Sequence, residues 1–308
     1  MTAGVTSGSP GRSAAILHHL AELLLPLRWS IVSAASLGTA TIGASVGLMG
    51  AAAWLIATAA LHPSIADLQI AVVGVRFFGI SRGVFRYVER LVSHHLTFKF
   101  LADLRVWFVE SLAPLAPARL LDRSVADLVD RAVSDIETLQ TLTTRVLSPC
   151  LVAAAVGLGV GGFIAQYSPA SAAVFIVFFL LAGFVLALMT WYSAEHQGGR
   201  SASLRAHLGD AVVDLVQGLQ ELLVFHRTRL HREAIADIRA ALAKSDRGAT
   251  VFDAFTTGAG IFLTHVATVG ILIVGIPLVR SGHIDGVMLA VLCLSSVAAF
   301  EAATPLPQ

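Results

Sequence analysis

Apolar residues run through this chain in six long blocks, and the charged residues fall very unevenly into the gaps between them. The blocks cover about residues 31–61, 68–90, 146–166, 170–192, 255–279 and 287–308. Each is near or above the roughly 20 residues that an α-helix needs to cross bilayer hydrocarbon, so six spans are predicted. The first is broken up by Gly43, Gly47 and Gly50. "YSP", residues 167–169, predicts a tight turn between the third and fourth. The sixth begins near Val287 and is still apolar at Gln308, which reads as a span cut short. Ahead of the spans, residues 1–13 are rich in Gly, Ser and Thr and are expected to be disordered. Residues 14–28 then space Ile16, Leu17, Leu20, Leu23, Leu24 and Leu27 at helical intervals, the pattern of an interfacial elbow helix rather than of a cleaved signal. Pro26 is expected to end that helix and turn the chain into a membrane domain over 29–308.

Composition supports this reading. Of the 308 residues, 56% are hydrophobic and 13% charged, about half the charged share of a soluble domain, and mean hydropathy is +0.78. The fold class expected is therefore all-α and integral to the membrane. Cys150 and Cys293 both fall in apolar runs and are read as small buried core residues, with no disulfide framework or thiolate metal site.

The net charge of +1 matters less than where the cations lie. The gaps at about 62–67 and 167–169 contain no Lys or Arg, and the gap at about 280–286 only Arg280. By contrast the segment from Lys99 to Arg145 includes Arg105, Arg119, Arg123 and Arg131, and the segment from Arg200 to Arg247 carries eight basic residues. The positive-inside rule puts both long segments, and both termini, in the cytoplasm. These segments are helical in pattern. Val125, Leu128, Val129, Ala132, Val133, Ile136 and Leu139 share one face, and Leu204, Leu208, Val212, Leu215, Leu219 and Leu222 repeat the device. A self-packed bundle and a docking surface for a motor domain fit this pattern equally.

The second block carries the chemistry. It reads "VRFFGISRGVFRYVERLVSHH" over residues 75–95. At about 100° per residue, Arg76, Arg82, Arg86, Arg90 and His94 fall within an arc of about 120°, a basic stripe about 27 Å long. A charge at the bilayer centre costs at least about 2.5 kcal/mol, so such a stripe lines a wet cavity or pairs with acids. Acids are scarce: Glu89 lies off the stripe, Asp67 at its outer end, and the other spans carry almost no carboxylate until Glu301. Snorkelling accounts for Arg90 and Arg86 but poorly for Arg82. A cavity for an anionic, carboxylate-bearing substrate and a structural pairing both remain open. Tyr87, Phe77 and Phe78 add flat apolar surface suited to a planar amphipathic ligand. His94 is read either as a solvated helix-end residue or as a haem iron ligand, with Arg90 one turn earlier holding a propionate. His196, His207, His226 and His231 are read as surface residues of the inner helices.

"GLMGAAAWLI", "GVRFFGISRGVFRYVERLVSHHLTFKFLADLR", "LAPLAPARL", "RAVSDIETLQTLTTRVLSP" and "AFEAATPLP" occur in order from about residue 30 to the end. Together they resemble the membrane domain of the CydC-type subunits of heterodimeric CydDC exporters, ABC transporters of the type I exporter fold. The resemblance implies a six-span type I ABC exporter transmembrane domain with long cytoplasmic helix extensions, paired with a CydD-type subunit in the bacterial inner membrane. It implies export of cysteine and glutathione in support of cytochrome bd oxidase assembly, and a haem-related role involving haem b. The family's haem-contacting histidine falls on His94, its neighbouring arginine on Arg90, and a further arginine on Arg145. Family members also carry a nucleotide-binding domain with a GxxxxGK[ST] phosphate loop and an LSGGQ-like signature. Neither motif occurs in this sequence, so ATP and Mg are expected to act through nucleotide-binding domains in trans, and this chain is not expected to be an enzyme by itself. His95 stands where the family pattern leads one to expect an acid. The expected partners are those subunits and membrane lipid, with no nucleic acid. A membrane haem-binding or assembly protein without transport, and a nonfunctional remnant, are the alternatives.

Overall fold

The computed structural model describes residues 28–113, 147–225 and 228–306. The predicted disordered stretch 1–13, nearly all of the elbow helix 14–28, the apolar face from Val125 to Leu139, and Arg145 and His226 lie outside the described residues. The described chain is all-helical: α1 (Arg28–Ala59), α2 (Ile65–Leu112), α3 (Ser148–Tyr167), α4 (Pro169–Leu180), a π-helical turn (Leu181–Val185), α5 (Leu186–Gln217), α6 (Leu219–Val224), α7 (Thr228–Arg280), α8 (Gly286–Ala299) and a 3-10 turn (Phe300–Ala302). Among the described residues five helical stretches are long and apolar enough to cross a membrane, Ile31–Ala59, Ile65–Trp107, Ser148–Tyr167, Pro169–Ser193 and His231–Arg280, and Gly286–Ala302 is a shorter apolar helix.

The helices start and stop where local chemistry dictates. α1 ends in a turn in which His62 takes φ 57°, and Pro63 blocks continuation. Ser168 caps α4 by accepting from the Ser171 N–H at 3.1 Å, with Pro169 in the first turn, which is the turn predicted from "YSP". After α7 the His283 N–H donates to Leu278 O and the Gly282 N–H to Val279 O, with Gly282 at φ 76°. That is a Schellman stop, with Arg280 in the last turn facing the negative end of the helix dipole.

Two of these helices far outrun the membrane. α2 has 48 residues and α7 has 53, about 72 and 80 Å of rise against about 30 Å of hydrocarbon. The sequence pattern placed the inner end of the second span at Arg90, but no Gly or Pro follows before Leu112, so the helix continues. Leu96, Phe100 and Leu104 are buried along that extension at one-turn intervals. α8 stops at Ala299, and Ala303–Leu306 is turn rather than helix. Pro305 removes a backbone donor and disfavours helical geometry at Thr304.

The chain forms two compact units, one comprising residues through Phe163 together with Ile284–Ala302, the other Ile164–His283 with residues from Ala303 on. In the first unit, α1 is the centre. Its glycines do not interrupt the helix; two of them set how closely its neighbours approach. A Cβ at Gly47 would lie 2.6 Å from the Phe78 ring of α2, and one at Gly50 2.9 Å from the Ser295 hydroxyl of α8. Buried Ala34, Ala35, Ala44, Ser45 and Ala53 continue this small-residue surface, the usual way helices approach within lipid, where apolar area alone does not distinguish neighbour from solvent. Two of the buried hydroxyls are satisfied within their own helices: Thr41 Oγ1 donates to Leu37 O and Ser296 Oγ to Cys293 O.

In the second unit, Phe175, Ile164, Ala267 and Ile271 are wholly buried, and a Cβ at Gly270 of α7 would lie 2.9 Å from Val174 of α4. Farther along, α5 and α7 pack on each other through Ser201 and Ser245, whose hydroxyls are 2.8 Å apart, and through Arg205 and Asp246 at 3.3 Å. The α5 face predicted from Leu204, Leu208 and Leu215 is half-buried, so this extension is partly self-packed, while Val212 and Leu219 on the same face stay exposed. Val216, Leu223, Val224 and Phe225 are exposed as well.

Cys293 is buried as expected, but Cys150 is exposed. It lies in the first turn of α3, where Leu147 and Leu151 also face outward, so an apolar run alone does not report burial in a membrane helix. His207 is exposed and His231 half-buried.

Candidate functional site

The basic stripe lies on α2, whose continuous helical geometry carries Arg76, Arg82, Arg86, Arg90 and His94 past one face of the first unit. α1 covers the other side of α2 through Phe78 and Gly47. Along the stripe the aromatic and branched side chains remain outward, with Phe77, Ile80, Val84, Tyr87 and Leu91 all exposed.

Among the described residues the stripe divides into a paired middle and two ends without ion pairs. Glu301, in the 3-10 turn that follows α8, reaches both central arginines. Arg86 Nη2 donates to Glu301 Oε1 at 2.9 Å, and Arg82 Nη2 to the same oxygen at 3.1 Å and to Oε2 at 3.4 Å. The turn is anchored by Phe300 and Ala302, both buried, and α8 is seated on α1 at Gly50, so the carboxylate is delivered by packed backbone rather than by a free side chain. Side-chain exposure is 36% for Arg82, 54% for Arg86 and 37% for Glu301. The arrangement is two cations on one anion, and the Nε of Arg82 is buried without a hydrogen-bond acceptor.

Of the two sequence readings, structural pairing thus holds for Arg82 and Arg86, and Glu301 is their partner. Arg76 and Arg90 are exposed and form no ion pair among the described residues. The other carboxylates near the stripe are engaged locally: Ser64 Oγ donates to Asp67 Oδ2 at 2.7 Å and Ser93 Oγ to Glu89 Oε1 at 3.1 Å. Glu301 was detectable in sequence as the lone carboxylate of the sixth apolar run; what the pattern lacked was its register against α2.

At the far end of the stripe His94 and His95 are exposed, and the His94 ring stacks on Phe98, centroids 6.0 Å apart with an interplanar angle of 23°. Among the described residues no group of three His, Cys, Asp or Glu side chains converges as a metal site. Haem asks less of a protein: one imidazole for the iron and a guanidinium for a propionate, which is the donor set that His94 and Arg90, one turn apart, provide. Arg145 lies outside the described residues.

Long apolar helices, two of them longer than a bilayer is thick and one carrying a strip of cations along one face, define a multi-pass membrane domain. The chain belongs to the ABC transporter transmembrane region family, whose model matches residues 13–300. It is 27% identical over 289 residues to the glutathione/L-cysteine transport system ATP-binding/permease protein CydC of Escherichia coli K12, an alignment covering 90% of this chain and 49% of that protein. Against the Haemophilus influenzae protein of the same description it is 27% identical over 273 residues, 86% of this chain and 46% of the relative. The Bacillus subtilis CydD protein of that transport system is 37% identical over a shorter stretch of 118 residues, 38% of this chain and 20% of the relative. The chain spans about half the length of the two CydC relatives, and the part it matches is the membrane region.

Proposed function

We propose that this chain is the transmembrane half of a heterodimeric ABC exporter for cysteine and glutathione in a bacterial inner membrane, paired with a CydD-type subunit and supporting cytochrome bd oxidase assembly. ATP and Mg act through nucleotide-binding domains outside residues 1–308, and both termini and the long helix extensions lie on the cytoplasmic side, where Lys and Arg concentrate. The observation that carries the reading is that Arg90 and Arg76, exposed and without an ion pair among the described residues, flank an anion-holding Arg82 and Arg86 on one membrane helix, in a chain whose relatives are described as glutathione/L-cysteine transporters. Glutathione carries two carboxylates, and cations in a site of reduced dielectric hold carboxylates far better than they do in water. Tyr87, exposed beside Arg86, supplies apolar surface to the same ligand. The test is ATP-dependent uptake of labelled glutathione and cysteine into inverted vesicles holding this chain and a CydD-type subunit with the nucleotide-binding domains. Uptake that requires this chain supports the reading; ATP-independent or absent uptake refutes it.

A second reading, haem binding without transport, is favoured by one observation: His94 is exposed, stacked on Phe98, and one turn from Arg90, which forms no ion pair among the described residues. Bound haem would supply an iron centre with redox and ligand-binding chemistry. His94 would hold the iron and Arg90 a propionate, with the Phe98 ring beside the imidazole. Titrating the purified chain with haem is expected to shift and sharpen the Soret band relative to free haem, a change that His94→Ala abolishes. An unchanged band in that variant would rule out His94 as the axial ligand.

A further inference from the structure

The least ordinary feature of the first unit is that two guanidiniums converge on a single oxygen. Arg82 and Arg86 both reach Oε1 of Glu301, at 3.1 and 2.9 Å, while Oε2 has only the longer 3.4 Å contact with Arg82. A carboxylate held for structure alone pairs best with one arginine in a fork of two parallel bonds. Here the carboxylate is gripped by one corner, the Nε of Arg82 is buried with nothing to donate to, and the cluster keeps a net positive charge. The stripe continues on both sides with Arg76 and Arg90, which are exposed and form no ion pair among the described residues, so positive potential extends beyond the paired middle. The seat that the two arginines make is thus built for an anion and only partly filled by the one that occupies it.

We propose that Glu301 is a built-in competitor for the cargo: its carboxylate occupies the anion seat of Arg82 and Arg86, and a dicarboxylate ligand binds by displacing it. The proposal rests on the reading of the stripe as a surface for a carboxylate-bearing cargo and assigns Glu301 the setting of its affinity. An internal carboxylate on a fixed turn keeps two membrane arginines from standing unpaired when no ligand is present, which would be costly. It also screens out ligands with a single weak anionic group, because a newcomer must outbid a carboxylate already in place. A ligand with two carboxylates can take the seat with one and engage Arg90 or Arg76 with the other. Glu301 is accordingly a positioning and specificity residue.

Two dicarboxylate probes separate the sources of that chemistry, glutathione and haem, each titrated into the chain in nanodiscs, with glutathione diethyl ester as the control that lacks both carboxylates. Glu301→Gln is expected to tighten binding of one probe about tenfold, to give the diester no such gain, and to lose the gain when Arg82→Gln is added; the probe that tightens identifies the source. Binding of both probes unchanged or weakened in Glu301→Gln overturns the proposal, as does absence of binding to both proteins. Because loss of the anion could impair folding, wild-type protein carrying ¹³C-glutamate is examined in parallel by infrared difference spectroscopy. The probe is expected to shift one labelled carboxylate band, which is missing from the Glu301→Asp protein. A spectrum without that shift overturns displacement. Tightening without ATP-driven uptake would sink the exporter reading and spare this one; uptake with unchanged affinity would do the reverse.

Discussion

Glu301→Arg is expected to lower the folded yield of this protein at least tenfold, and Arg82→Glu added to the same chain is expected to restore most of it. The substituted side chain would face two guanidiniums that now converge on one carboxylate oxygen. Removing the partner from a buried ion pair costs about 3–5 kcal/mol. The loss here is smaller, about 2 kcal/mol, because Arg82 and Glu301 are each over a third exposed, 36% and 37%, and exposure weakens a pair. Bringing in a third cation adds repulsion on the order of 4 kcal/mol per neighbour at 4 Å and an effective dielectric of 20, before relaxation. Even half that total is a large share of the roughly 5–15 kcal/mol that stabilises a typical domain. The measurement is monodisperse protein recovered from membranes together with its thermal midpoint. The double variant tests the specific contact, because exchanging the signs restores an acid between two bases. A single variant that folds as well as wild type would show that the Arg82–Arg86–Glu301 cluster contributes nothing to the packing of α8 on α2.

The second large effect is expected at the other end of the stripe. Arg90→Glu is expected to reduce glutathione uptake into inverted vesicles more than tenfold while folded yield stays at the wild-type level. Arg90 is exposed and forms no ion pair among the described residues, so no structural contact is lost with it. Its reversal places an anion one turn from Arg86 and repels the second carboxylate of the ligand. A charge-assisted contact is worth about 1.5–3 kcal/mol, roughly a tenfold to hundredfold change in affinity. The contrast with Glu301→Arg is the informative part: one change breaks the structure through a paired residue, the other breaks the function through an unpaired one. Unchanged uptake by Arg90→Glu, with wild-type yield, would remove the stripe from the cargo path.

Much of this architecture was legible from patterning. The first five apolar blocks each fall within a helix long and apolar enough to cross a membrane, because a bilayer sets a minimum length for such a block, and the turn at Ser168 and Pro169 followed from a cap and a fixed φ. The basic stripe also followed from helical geometry, since α2 is uninterrupted and its periodicity holds from Arg76 to His94. Other features were hidden for particular reasons. The glycines of α1 looked like interruptions because propensity counts them as weak helix residues, whereas Gly47 and Gly50 are where Phe78 and Ser295 come closest. Cys150 looked buried because hydrophobicity in a membrane protein marks contact with lipid as readily as contact with protein. The inner end of the second span looked like the end of the helix, because the apolar pattern changes there while the backbone does not.

The chain's own residues therefore determined that it is a helical multi-pass domain, where most of its spans lie, and that four arginines and a histidine share one face of the second. Those properties depend on solvent transfer and on the angle between successive residues, which are local. The tertiary structure decided which of the four are free. Arg82 and Glu301 are separated by 219 positions in sequence, and no periodicity spans that distance. Their meeting depends on the depth at which α8 seats against α1 at Gly50, and that depth is set by packing.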